Sequence, residues 1–206
     1  MGDRFDVLKS LFREAAEGAR DRLLDLGPLA RAREAFKEVA RQRVVVSDED
    51  LTAAVAHAYG VRAASVAARG GAIRVDVTFD DGDQLAASLV PLGARFAPRG
   101  AKEVLFRVEP PERAVGPHAA EVAAAVAGTI ARGLYRGLIR RDQDTQGAIV
   151  DRDDDVLRID LRTVPAVRRL AGRGPAAMLM DVMEIRGIRA DDGELSIDLK
   201  LPEIIV

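Results

Sequence analysis

The residues of this chain that could do chemistry are mostly aspartates and arginines, and they recur in a few regular patterns. Asp151, Asp153 and Asp155 have the alternate spacing that opens an EF-hand calcium loop. The pattern then fails, because Val156 stands where the loop needs a turn glycine and Arg162 where it needs a bidentate glutamate. The sequence therefore favours a hairpin turn over a calcium site at this position.

Histidine and cysteine usage predicts no metal site and no catalytic set. His57 and His118 are the two histidines of the chain, and neither has an HExxH-like partner. Without any cysteine, thiolate nucleophiles and zinc–thiolate sites are excluded. The sequence also contains no Walker loop, no GxGxxG and no Gly-x-Ser-x-Gly elbow. We therefore expect a protein that is not an enzyme and has no cofactor.

Arginines near the end of a long predicted helix form one stripe. Arg132, Arg136 and Arg140 are four residues apart, so they point the same way near the negative end of the helix dipole. The negative end of a helix stabilises cations, so the stripe is explained without any functional role. The functional alternative is that the stripe contacts lipid headgroup phosphates or an acidic patch of a partner.

Composition indicates a soluble globular protein. Of 206 residues, 48% are hydrophobic and 31% are charged, and the formal net charge is −2. This balance gives no pull toward nucleic acid or anionic membranes, and a chain with no tryptophan offers few stacking platforms for bases. The charged segment MGDRFDVLKSLFREAAEG does not read as a secretory signal, so the expected location is the cytoplasm.

Two amphipathic helices are predicted at the N-terminus. Apolar residues recur every three or four positions over residues 3–26, Gly27-Pro28 breaks the pattern, and a second helix follows at about 29–43. So short a break predicts an antiparallel helical hairpin, with residues 1–46 as its domain. Its mixed charge favours at most a weak, peripheral membrane contact.

The remainder, residues 47–206, is predicted as one α+β domain. Ser47 is a natural N-cap for a helix that Gly60 would close, and after it the apolar period switches to two. Antiparallel strands and segregated helices are expected rather than alternating βαβ units. The predicted strands lie near 61–68, 72–79, 83–90, 103–109, 147–151, 155–162, 182–189 and 194–201, and the predicted helices at about 118–140 and around 165–170.

Three strands repeat nearly the same line. Residues 71–77 read GAIRVDV, 155–161 read DVLRIDL and 193–199 read GELSIDL. Their alternation predicts one apolar face, with Asp76, Asp160 and Asp198 on the opposite, solvated face. The long helix at 118–140 is the element that can cover this face. We therefore predict a curved antiparallel sheet of β-hairpins wrapped on a long helix, either packed solid or enclosing an elongated apolar ligand.

The strand pairs support a family resemblance. SVAARGGAIRVDVTF and GIRADDGELSIDLKL, set around an extended helix, resemble bacterial lipid-binding proteins of the LmeA-like, TULIP-related kind. The strand LRIDLRTVPAV is similar in style, so the resemblance covers roughly residues 48–201. It implies a lipid-binding protein. The chain departs from exported members of that family in lacking a recognisable signal peptide.

Two functional hypotheses follow. In the first, a lipid or other elongated apolar ligand binds between sheet and helix, lined by Val122, Val126, Ile130, Leu134, Ile73, Val75, Leu157, Ile159, Leu195 and Ile197. In the second, the interior is solid and the helical hairpin pairs with a partner helix or another copy of the chain through Phe5, Leu8, Phe12, Phe36 and Val39.

Overall fold

The computed structural model describes residues 43–96, 100–109, 117–135, 139, 143–170, 177, 181 and 183–200. The predicted N-terminal helical hairpin lies outside this part of the chain, apart from Arg43. So do its five proposed contact residues, Phe5, Leu8, Phe12, Phe36 and Val39.

The described chain is an α+β protein whose strands all pair antiparallel. Its helices are α1 Asp48–Ala56, α2 Pro117–Leu134 and α3 Pro165–Leu170, with a 3-10 turn at Leu161–Thr163. Its strands are β1 Arg43–Ser47, β2 Val61–Arg69, β3 Ala72–Phe79, β4 Gln84–Phe96, β5 Lys102–Glu109, β6 Val150–Asp153, β7 Val156–Asp160, β8 Glu184–Asp191 and β9 Glu194–Lys200.

The larger sheet has six strands in the order β2-β3-β4-β5-β7-β6. Its first four strands form the predicted meander, and the predicted alternation is confirmed on β3, where Ile73, Val75 and Val77 are buried and Arg74 and Asp76 are exposed. β4 extends beyond its predicted end at residue 90, because the register shifts between Pro91 and Gly93. A bulge accommodates a proline that a regular ladder would exclude.

The smaller sheet has the order β1-β9-β8 and contains a strand that the sequence pattern did not predict. Arg43, placed at the end of the second helix, instead begins β1 and lies opposite Asp198 on β9. Val44 and Val46 are buried while Val45 is 43% exposed, which is the alternation of a strand. A run of β-branched valines favours this extended pairing over a helix end.

Helix α1 begins where the sequence predicts and ends earlier. The Ser47 hydroxyl accepts a hydrogen bond from the Asp50 backbone N–H at 3.1 Å, which confirms the N-cap. The helix ends at Ala56 with His57 as its C-cap. Gly60, predicted to close the helix, belongs instead to the turn before β2, where its φ of +72° suits glycine.

Helix α2 is an interior helix. Residues 122–131 are all buried, which means that every side of the helix is covered. It contacts α1, β1, β4, β6, β7 and the 3-10 turn. Its last residue is Leu134, with Tyr135 in a turn, so it is shorter than the predicted span of 118–140. No helix among the described residues has both the length and the hydropathy to cross a lipid bilayer.

Backbone hydrogen bonds join the two sheets at their turns. The Gly71 N–H donates to the Ala190 carbonyl, and the Gly193 N–H donates to the Ala68 carbonyl, each at 2.9 Å. The Asp48 carboxylate accepts from the Ala68 N–H at 2.7 Å, which ties α1 to the same corner. The echoed turns before β3 and β9 therefore meet, and the apolar faces of both sheets share one hydrophobic core.

Candidate functional site

The ten predicted lining residues lie in one continuous hydrophobic cluster. Four of them are on α2, two on β3, two on β7 and two on β9. Each is at most 3% exposed, so the sheet faces and the helix do turn toward a common interior. The residues and their exposed fractions are Val122 2%, Val126 0%, Ile130 0%, Leu134 1%, Ile73 0%, Val75 1%, Leu157 3%, Ile159 0%, Leu195 0% and Ile197 0%.

Small residues let other segments approach the α2 backbone closely. A Cβ built on Gly133 would lie 3.0 Å from Val44 Cγ1 and 3.1 Å from Val46 Cγ2, so β1 packs directly on this turn. A Cβ on Gly128 would lie 1.9 Å from the Thr145 carbonyl oxygen, which a side chain cannot tolerate. The tighter approach, at Gly128, comes from the segment between α2 and β6, which the sequence pattern did not assign to any element.

The C-terminal end of α2 carries polar groups inside the apolar interior. Tyr135 is 1% exposed, and its hydroxyl has no hydrogen-bond partner in the part of the chain that the structure describes. Burial strongly raises the pKa of this phenol. Arg132 is half-buried: its Nη2 donates to Thr145 Oγ1 at 3.2 Å, while its Nε is buried without a partner among the described residues. Buried polar groups normally find partners, so this end is unusual.

The predicted arginine stripe can be placed only in part. Arg132 turns toward the buried Thr145 instead of standing free on the surface. Arg136 and Arg140 lie outside the described residues.

The N-terminal end of α2 holds a cluster that the sequence analysis missed. His118 Nε2 lies 3.8 Å from Asp81 Oδ2 and 3.8 Å from Asp83 Oδ2, and its Nδ1 lies 3.9 Å from Glu121 Oε2. The imidazole stacks on Phe79, with ring centroids 3.9 Å apart. The short acidic string at residues 80–83, DDGD, was the available signal, but its partner is 35 residues further along the chain.

The echoed aspartates do not converge. Asp76 is exposed on β3. The other two form ion pairs: Asp160 Oδ2 lies 2.6 Å from Arg162 Nη2, and Asp198 Oδ2 lies 2.7 Å from Arg189 Nη2. Their separation agrees with the predicted role as solvated faces. The run around residues 151–155 is a β6–β7 hairpin turn, with Asp154 at a φ of +51°, so the turn prediction is confirmed there.

Lys102 is a second feature that the sequence analysis missed, and it has no sequence signal. It is 3% exposed on the core side of β5, with its Nζ 4.5 Å from the centroid of the Phe96 ring. Desolvation lowers the pKa of this ammonium group, and the nearby charge of Asp181 opposes that shift. From sequence, a lysine at the edge of an apolar face is predicted to be exposed, because its burial depends on tertiary packing.

A shallow groove lies on the β2–β4 surface. Its volume is about 320 Å³, and it is open to solvent. Residues 63–65, 76–78 and 84–86 border it, and none of the ten predicted lining residues does. The groove is therefore separate from the interior around α2.

The histidines contact neither a serine nor a threonine hydroxyl in the described ranges. His57 Nδ1 faces the Ala53 carbonyl, and His118 faces three carboxylates.

The chain matches no protein-family model, no curated protein and no solved structure.

Proposed function

We propose that this protein binds a lipid or another elongated apolar molecule between α2 and the two sheets, and that the sheets form a curved shell around the helix for this purpose. The polar end of the ligand would meet Tyr135 and Arg132 at the C-terminal end of α2. This agrees with the resemblance to LmeA-like, TULIP-related lipid-binding proteins. Binding would be non-enzymatic.

The free energy of binding would come from apolar surface. The interior is lined by valine, leucine and isoleucine side chains from both sheets and from α2. Removing a methylene group from water contributes about 0.8 kcal/mol, so each added carbon of an acyl chain strengthens binding until the chain length matches the interior. Selectivity would then depend on length and shape.

The observation that carries the proposal is the unpartnered Tyr135 hydroxyl. The residue is 1% exposed and lies three positions after the half-buried Arg132, whose Nε also has no partner among the described residues. Ligand sites are commonly apolar with a few polar groups that fix orientation. A carboxylate or phosphate at the end of an apolar chain would accept hydrogen bonds from both groups, which would otherwise cost about 1–3 kcal/mol each.

Native mass spectrometry of the full chain, followed by solvent extraction, tests this proposal. A discrete added mass that is released as a long apolar molecule supports it. Delipidated protein should also take up palmitate at one molecule per chain. A clean mass without any adduct, and no uptake of palmitate, would contradict the proposal. If that mass were an integer multiple of the chain, association through the N-terminal helical hairpin would take its place.

Matched variants locate the polar end of the ligand. Tyr135→Phe and Arg132→Gln should each lower palmitate occupancy several-fold, because each removes one donor to the carboxylate. Tyr59→Phe and Arg169→Gln are the controls: Tyr59 is 90% exposed and Arg169 is exposed on α3. Equal occupancy in all four variants would show that any bound molecule lies elsewhere.

A further inference from the structure

Three metal-ligating side chains from two distant segments meet beside the N-terminus of α2. Asp81 and Asp83 belong to the β3–β4 turn (residues 80–83), and His118 is in the first turn of the helix. One ligand atom from each lies within 4.8 Å of the other two. The proposed apolar site does not include these three residues, so a test of one site does not test the other.

The spacing of the three ligand atoms is short enough for one cation to contact all of them. Three atoms no more than 4.8 Å apart leave a position within about 2.8 Å of each of them. Bonds from zinc to histidine nitrogen and carboxylate oxygen are about 2.0–2.2 Å long, so shifts of less than about 1 Å would complete the coordination. Asp81 and Asp83 are 59% and 73% exposed, and such side chains can make these shifts without moving the core.

The turn and the ring are both held in place before any ion binds. The Asp83 N–H donates to Asp81 Oδ1 at 3.0 Å, which leaves Oδ2 facing the histidine. The Phe79 N–H donates to the Asp83 carbonyl at 2.9 Å and closes the turn. The Phe79 ring stacks on the imidazole at an interplanar angle of 25°, which fixes the direction of Nε2.

The charges of the cluster favour a divalent cation. Two carboxylates converge here, and within the described ranges no lysine or arginine forms an ion pair with either of them. On the far side of the ring, His118 Nδ1 is buried without a hydrogen bond, and Glu121 lies 3.9 Å away. A carboxylate behind a ligating histidine orients the ring and raises its basicity, so Glu121 is placed to support a metal bound at Nε2.

We propose that Asp81, Asp83 and His118 form a divalent metal site, with Glu121 as the residue that positions the histidine. One imidazole nitrogen and two carboxylate oxygens suit zinc or manganese, whereas calcium prefers a larger set of oxygen ligands. Three protein ligands leave the remaining coordination positions to water or to a ligand. The helix N-terminus nearby favours the carboxylates and opposes the cation, so the carboxylates must outweigh it.

Zinc titration of the full chain by calorimetry tests the site, and the two histidines provide a matched pair. We expect one zinc ion per chain and an affinity that falls at least tenfold in His118→Gln. His57→Gln should bind as the unchanged protein does, because His57 is at the far end of α1 with its Nδ1 on the Ala53 carbonyl. Zinc binding that is lost in His57→Gln, or retained in His118→Gln, would overturn the proposal.

A second pair of variants keeps the test valid if His118→Gln folds poorly. The double change Asp81→Asn with Asp83→Asn preserves shape and the acceptor of the turn, and it should also lower zinc affinity at least tenfold. Asp76→Asn, on the exposed face of β3, is its control. Circular dichroism without metal should give the same spectrum for every variant compared.

Manganese gives an independent readout of position. Paramagnetic broadening in amide NMR spectra should be strongest at residues 80–83 and 117–121 and should decrease with distance from them. The competing structure is an ion pair between protonated His118 and the aspartates that simply docks the turn on α2. In that case zinc produces no saturable heat and manganese no localised broadening, and the metal site is excluded.

Discussion

The two ends of α2 differ in almost every physical respect. At its N-terminal end the charges are mostly exposed: the Asp81 and Asp83 side chains are 59% and 73% exposed, although His118 Nδ1 is buried. At its C-terminal end, Tyr135 and Arg132 have polar atoms that are buried without partners among the described residues. The same kinds of group are inexpensive in the first environment and costly in the second. In our two proposals, the N-terminal end of this helix binds an ion and its C-terminal end anchors the polar group of an apolar ligand.

The largest expected effect on stability comes from truncating one apolar side chain of the interior between these two ends. Ile130→Ala deletes a side chain that is 0% exposed, and we expect the free energy of unfolding to fall by about 2–5 kcal/mol in urea denaturation. Val45→Ala, at a position 43% exposed on β1, should change it by less than about 1 kcal/mol. Equal effects at the two positions would contradict the burial of α2.

A substitution at Gly128 should be the next most damaging. The Cβ of Gly128→Ala would overlap the Thr145 carbonyl, and backbone has to move, so we expect a loss of about 1–3 kcal/mol despite the gain in helix propensity. Gly133→Ala meets only valine methyl groups at 3.0 and 3.1 Å, and it should be close to neutral. Thermal and urea unfolding of the pair measure the difference. A stabilised Gly128→Ala protein would show that residues 143–149 do not cross the helix here.

Removing the buried hydroxyl at the C-terminal end of α2 should change the free energy of unfolding by a smaller amount. The sign of that change shows whether the hydroxyl has a hydrogen-bond partner. In the ligand-free protein, Tyr135→Phe removes an unpartnered polar atom, and we expect the free energy of unfolding to rise by about 1 kcal/mol. Tyr59→Phe, at a position 90% exposed, should leave it unchanged. A loss of stability in Tyr135→Phe would mean that the hydroxyl has a partner in solution, such as an interior water.

The same tyrosine predicts a dependence of stability on alkaline pH. An unfolded tyrosine releases its proton above pH 10.0, whereas burial raises the pKa of folded Tyr135 and keeps it protonated. The unfolded state then binds fewer protons than the folded state. Stability should therefore fall as the pH rises above 10, by up to about 1.4 kcal/mol per pH unit. Urea denaturation at pH 9 and 11 should show a smaller fall in Tyr135→Phe.

The smallest expected effect belongs to the exposed end of the helix. Without metal, the double change Asp81→Asn with Asp83→Asn should alter the free energy of unfolding by less than about 0.5 kcal/mol, because exposed ion pairs contribute little. Urea denaturation in the presence of a chelator measures it. A fall in the free energy of unfolding of more than about 2 kcal/mol would show that these carboxylates are needed for folding. The two ends of α2 would then not differ in their contribution to stability.

The sequence determined those features that depend on neighbouring residues. Alternation along β3 predicts which side chains are buried, and along β9 it does so except at the buried Ser196, while Ser47 predicts the start of α1, because period and capping are local. The start of α3 at Pro165 is local for the same reason, because proline is favoured at the first position of a helix. The interior-facing residues on β3, β7 and β9 are also local, since each lies on the apolar side of its own strand, whereas residues 122–131 of α2 are buried on every side.

Tertiary structure alone decided which distant groups meet. β1 exists because β9 supplies its hydrogen-bond partners, and the shared core buries Val44 and Val46. Lys102 is covered by elements far from it in sequence, and His118 finds Asp81 and Asp83 only when α2 docks against the β3–β4 turn. The hydrophobic pattern of one segment does not predict which distant segment that element will contact. The residues of the apolar interior could therefore be named in advance, while the ion cluster and the buried polar end of α2 could not.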